Sequence, residues 1–116
     1  MKEYRIRVYI EDERVGEYVN YAVEIGAVRL INSFDGIGGC LAIYDVSCEG
    51  WVIEAFIEWG VRVFPLDNYG DFDIRLNGVP IEDNMILKVY DEHVLSGFNV
   101  FDGNLYGKAE VTYIKY

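Results

Sequence analysis

Alternation of apolar and polar side chains with period two is the feature that most narrows what this chain can become. Tyr4, Ile6, Val8 and Ile10 alternate with Arg5, Arg7 and Tyr9. Successive side chains of an extended backbone point to opposite faces, so this segment reads as a half-buried strand. The same period returns at Val19, Tyr21, Val23 and Ile25, set against Asn20, Ala22 and Glu24. After Gly26-Ala27 the phase shifts, so that Val28 and Leu30 lie opposite Arg29, as a bulge at glycine would produce. Strand is therefore expected over most of 17–32. Ile53, Ala55, Ile57, Trp59, Val61 and Val63 alternate with Glu54, Phe56, Glu58 and Arg62. This reads as the longest strand, bent at Gly60.

Residues 12–34 carry a rival reading. Val15, Tyr18, Val19 and Ala22 also fit helical spacing, which would make the chain an α+β fold with one helix within 12–34 packed on an antiparallel sheet. Two glycines and many β-branched residues weigh against that helix.

Elsewhere the signals are shorter. Leu41–Val46 is an apolar run, followed by a turn-like Ser47-Cys48-Glu49-Gly50. Asp71–Leu76 alternates into Asn77-Gly78, two residues that tolerate positive φ in a tight hairpin turn. Val79-Pro80-Ile81 returns as an edge strand, because proline cannot donate to a ladder. Met85–Tyr90, Phe98–Phe101 and Leu105–Tyr116 complete the pattern, the last two around the turn Asp102-Gly103-Asn104. Turns at this spacing predict an all-β fold: a single domain over 1–116, built as a β-sandwich or small β-barrel of about eight antiparallel strands.

Charge decides which partners are compatible with such a domain. Twenty acids oppose ten lysines and arginines, a net −10, yet 52% of the chain is hydrophobic. It should therefore fold rather than stay disordered. The net charge repels phosphate and argues against direct binding to nucleic acid or anionic membranes. No apolar run reaches membrane-spanning length, and Met1–Arg5 leads straight into the first alternation with no signal-peptide pattern. Cys40 and Cys48 are too far apart to bridge if a strand separates them. They read as free thiols, and the cytoplasm is the expected compartment.

Specific chemistries find little support. Counted from Asp67, an EF-hand loop needs oxygen ligands at its third and fifth positions, glycine at the sixth and glutamate at the twelfth. The chain offers Tyr69, Asp71, Phe72 and Gly78 there. Cys40, Cys48 and His93 lack zinc-ligand spacing. No nucleophile elbow occurs around the serines, and Asp35–Gly39 carries neither the third glycine of a dinucleotide loop nor a Gly-Lys-Ser/Thr. No cofactor is expected.

What remains is acid beside aromatic. Eight of the acids fall within 65–103, against Arg75 and Lys88. Asp67, Tyr69, Asp71, Phe72 and Asp73 form one cluster, and Asp91, Glu92 and Asp102 lie in further turn regions. Aromatic anchors inside a charged rim suit capture of a basic protein surface. The expected function is non-enzymatic: an inhibitor or immunity-type protein, in the manner of phage anti-defence or anti-CRISPR proteins. It would act as a nucleic-acid mimic on a nuclease or CRISPR effector. The first alternative is a carbohydrate- or calcium-binding β module, which for sugar should expose Trp51 or Trp59 beside a groove. The second is a small β-barrel enzyme using paired carboxylates or His93.

Because the Asp67 loop misses the EF-hand positions, millimolar calcium should leave the melting temperature nearly unchanged. A ligand at ~100 times its dissociation constant would add about 2.7 kcal/mol. A rise of several degrees would revive the calcium module.

Overall fold

A computed structural model of the chain describes residues 2–36, 40–67, 69–76, 78–80 and 109–114. Contacts group the chain into two compact units, Met1–Pro65 and Leu66–Tyr116.

The first unit runs β1 (Glu3–Ile10), α1 (Glu13–Glu24), β2 (Val28–Asp35), β3 (Ala42–Glu49), α2 (Gly50–Glu58) and β4 (Arg62–Pro65). Its sheet has the order β2-β3-β1-β4, with every neighbouring pair antiparallel. A βαββαβ chain in that order is the split β-α-β, ferredoxin-like plan. The second unit holds β5 (Phe72–Leu76), β6 (Val79–Pro80) and β7 (Ala109–Tyr113) in an antiparallel sheet of order β6-β5-β7.

The protein is thus β-rich but not all-β. The described residues form seven strands in two antiparallel sheets, two helices and no closed barrel, in place of a sandwich or barrel of about eight strands. Helix replaces the strand expected over much of 17–32, and helix again replaces most of the long strand expected over 53–63. The rival reading of one helix within 12–34 matches α1; α2 was not foreseen.

Local chemistry explains both helices. Asp12 is extended at the N-cap, and its carboxylate accepts the Val15 N–H at 2.8 Å. From there Val15, Val19 and Ala22 make one buried stripe. In α2 the buried residues Val52, Ile53 and Phe56 also follow helical, not alternating, spacing. The glycines read as a bulge and a bend are helix terminators. Gly26 and Gly60 have φ of +80° and +76°. Gly26 N–H donates to Val23 O and Ala27 N–H to Ala22 O; Gly60 N–H donates to Ile57 O and Val61 N–H to Phe56 O. Each set is a Schellman closure, which needs a left-handed residue just past the helix.

Both helices lie on one face of the sheet. Tyr18 of α1 stacks on Trp59 at 4.5 Å and meets Phe56 edge-on at 5.9 Å. A Cβ on Gly16 would sit 3.2 Å from Ile10 Cγ2. The register puts Tyr4, Ile6, Val8 and Ile10 on that helix-bearing face, and all four are buried. The opposite face is not left to solvent. Arg7, Tyr9, Asp45 and Phe64 are each at most 1% exposed. Arg7 and Asp45 stand directly opposite on β1 and β3. Arg7 Nε donates to Asp45 Oδ1 at 2.8 Å and Nη2 to Oδ2 at 3.2 Å. The Phe34 ring of β2 lies 4.9 Å from the guanidinium carbon.

In the second unit β5 and β6 pair as an antiparallel hairpin, as the sequence predicts. Leu76 pairs with Val79, Gly78 has φ of +82°, and among the described residues the proline strand β6 lies at an edge. Phe72 and Ile74 are buried on one face of β5. The strand readings at 85–90 and 98–101 lie outside the described residues.

Removing one member of the buried ion pair strands the other charge, which typically costs ~3–5 kcal/mol. Asp45→Asn should therefore lower the urea unfolding free energy by about that much, whereas the paired change Arg7→Met with Asp45→Leu should lose far less. A single-variant loss below about 1 kcal/mol would show that the pair carries no such weight.

Candidate functional site

The acidic aromatic segment sits between β4 and the end of β5. Asp67, Tyr69, Asp71 and Asp73 are half-buried. Tyr69 Oη donates to Asp67 Oδ2 at 2.8 Å, so the ring and the carboxylate are held together. Phe72 N–H donates to Tyr69 O, and Ile114 N–H to Asp71 O, which ties the segment to the sheet on both sides. Asp73 Oδ2 accepts from Arg75 Nε at 2.9 Å, two residues along the same face of β5. Arg75 in turn reaches the Gly78 carbonyl at 3.4 Å. Phe72 points the other way, buried against Tyr113 at 5.1 Å and Tyr69 at 6.0 Å. It supports the segment as core. Asp91, Glu92, His93 and Asp102 lie outside the described residues.

The two thiols are free. Cys48 is buried on the helix-bearing side of β3, opposite Tyr4 and Val28. Burial, aided by the charges of Glu3 and Glu49, pushes its pKa up to about 12. Cys40 is also raised, by burial first and by Glu11, with Arg62 opposing. A thiol held protonated is a poor nucleophile and a poor metal ligand. Among the described residues no three His, Cys, Asp or Glu side chains gather as a metal site would require. None of the described helices is long and apolar enough to cross a membrane.

The helix layer carries a second acidic aromatic surface. Trp51 and Trp59 are 56% and 50% exposed, and Tyr21 and Ile25 of the α1 region are uncovered as well. Trp51 Nε1–H donates to Glu49 Oε2 at 2.6 Å. Trp51 also walls a cleft of about 200 Å³ at one end of the sheet, together with Glu3, Arg29, Glu49 and the Gly26-Ala27 turn. Glu3 and Glu49 stand directly opposite in the β1–β3 register, a like-charge pairing that costs stability. Arg29 approaches Glu3 at 3.9 Å from β2.

Comparison with protein-family models, curated proteins and solved structures finds no match. A ferredoxin-like plan hosts many unrelated activities and assigns none by itself. The sequence names Trp51 and Trp59 only as the rings that a sugar module would expose, because a strand over 53–63 puts Trp59 on an apolar face and sets Phe56 among the acids. The i, i+4, i+8 spacing of Trp51, Ala55 and Trp59 was the available signal.

Alkylation checks the thiols. At pH 8, iodoacetamide should modify Cys40 ahead of Cys48, and Cys48 only on unfolding. The folded-state pKa of Cys48 is raised from 9.0 to about 12. The unfolded thiol therefore loses its proton first. Stability owed to the neutral thiol is complete below pH 9 and is lost as pH climbs toward 12. Cys48→Ala should remove that part of the alkaline loss. Labelling of native Cys48 at the rate of free cysteine would contradict the burial argument.

Proposed function

We propose that the protein acts by binding, not catalysis, and that its partner is a basic protein surface of the kind that normally holds nucleic acid. A nuclease or CRISPR effector is such a surface, and the role would be that of a phage-type inhibitor or immunity protein working in the cytoplasm. The observation that carries this reading is the coupling of a −10 net charge to aromatic rings set beside carboxylates. In the second unit that coupling is the Tyr69–Asp67 contact, with Asp71 and Asp73 following on the same short segment. An acidic field speeds encounter with a cationic partner and rejects nucleic acid itself, while an aromatic anchor slows release. Phe72 positions Tyr69 from below. Asp91, Glu92 and Asp102 extend the acidic composition of this part of the chain.

A second reading has one observation in its favour. Trp51 is exposed beside a cleft, the arrangement that sets a sugar-binding module apart. The cleft wall, however, carries Glu3, Glu49 and Arg29. A neutral sugar has no use for the field of so acidic a chain.

The test begins with a pull-down from the native host and continues with binding kinetics at two salt concentrations. Asp71→Asn with Asp73→Asn keeps side-chain size and removes two charges, one of them the ion-pair partner of Arg75. The double variant should associate more slowly, change dissociation little and lose part of the salt dependence. Tyr69→Ala should speed dissociation and cost about 2 kcal/mol. Unchanged association of the double variant at low salt would sink the acidic-segment role.

A further inference from the structure

We infer that the helix layer of the first unit is a docking face for arginine side chains of a cationic protein partner. This rests on the binding reading above and names a surface and a side-chain chemistry that the reading does not.

The geometry begins with helix direction. α1 follows the Ile10 end of β1, and α2 follows the Glu49 end of β3, which pairs with Glu3 at the far end of the sheet. The helices therefore enter from opposite ends and run antiparallel. Trp59, at the end of α2, meets Tyr18 and accepts Arg14 Nη2–H at its carbonyl, while Trp51, at the start of α2, lines a cleft shared with the turn after α1. One exposed indole thus marks each end of the layer. Tyr21 and Ile25, 59% and 57% exposed, add apolar surface on α1. Uncovered aromatic rings of this size are the usual anchors of a protein interface.

Charge names the occupant. Residues 11–27 and 49–60 hold eight carboxylates and one cation, Arg14; Arg29 from β2 stands beside Trp51, and Arg62 from β4 pairs with Glu11 at 3.2 Å, which leaves the layer still acidic in excess. Two of these acids sit where the fold gains nothing from them. Glu24 and Glu58 are the last residues of α1 and α2, and neither helix has a basic residue in its last turn. A carboxylate there opposes the helix dipole. A cationic partner would reverse that penalty at both ends. Arginine fits better than lysine, because a guanidinium stacks flat on an indole while its edge donates two parallel bonds to a carboxylate. A second copy of this chain is a poor occupant, since two surfaces of the same sign repel. Phosphate is repelled for the same reason.

Trp51 and Trp59 are the only tryptophans in the chain, so tryptophan emission reports this face alone. The full chain is titrated with nona-arginine, and emission and heat are followed together. The expected result is a saturable emission change that tracks the calorimetric curve, with nona-lysine about tenfold weaker. Trp51→Ala, outside the Tyr18 stack, should weaken nona-arginine about tenfold with an unchanged melting curve. Glu24→Gln with Glu58→Gln, both exposed, should weaken it as well, while the Asp71/Asp73 double variant should keep the full emission response. Heat without an emission change would overturn this face and leave the binding reading standing. No heat at all would overturn both. Equal binding of nona-lysine would overturn the arginine assignment, and an emission response to cellohexaose alone would hand the face to a sugar.

Discussion

The Arg7–Asp45 pair is the contact on which the first unit depends. It joins the two central strands, β1 and β3, directly across the ladder, with two hydrogen bonds and almost no exposure. An ion pair so placed is not a source of large net stability, because desolvating two charges offsets most of their attraction. Its consequence is register. A slip of one residue would set Arg7 against Tyr44 or Val46 and leave both charges buried without each other. The Phe34 ring over the guanidinium brings β2 into the same cluster, so one polar contact positions three of the four strands.

Once that sheet is aligned, the helices have little freedom. Each enters from a strand end and finishes in a glycine closure that turns the chain back toward the next strand. Between those ends the buried stripes of Val15, Val19 and Ala22, and of Val52, Ile53 and Phe56, cover one face of the sheet. The Tyr18–Trp59 stack ties the two helices to each other. The outward faces are what remains, and they are acidic and aromatic together.

That combination separates the functional classes more than any single residue does. Burial holds the thiols protonated, and the described carboxylates make no three-fold cluster. What does converge is charge with aromatic rings, once along the Asp67–Asp73 segment, where Tyr69 is half-buried, and again over the helix layer, where both indoles are exposed.

Much of this was legible in the chain itself. The alternation of Tyr4–Ile10, the β5–β6 hairpin, the edge position of Pro80 among the described residues and the free thiols depend on local rules, and each is where those rules put it. The acidic excess is a property of composition alone. Two things were not legible. Short segments such as 17–25 and 53–59 satisfy both a two-residue and a 3.6-residue period, so only packing against the sheet selects the helix, and a glycine past a helix looks in sequence like a bulge in a strand. The fate of the polar face of β1 was equally hidden. Arg7 reads as a solvent-facing residue until β3 places Asp45, thirty-eight positions away, directly opposite. Local pattern sets which backbone shapes are open; long-range pairing decides which are taken, because burial and charge compensation exist only after the strands have met.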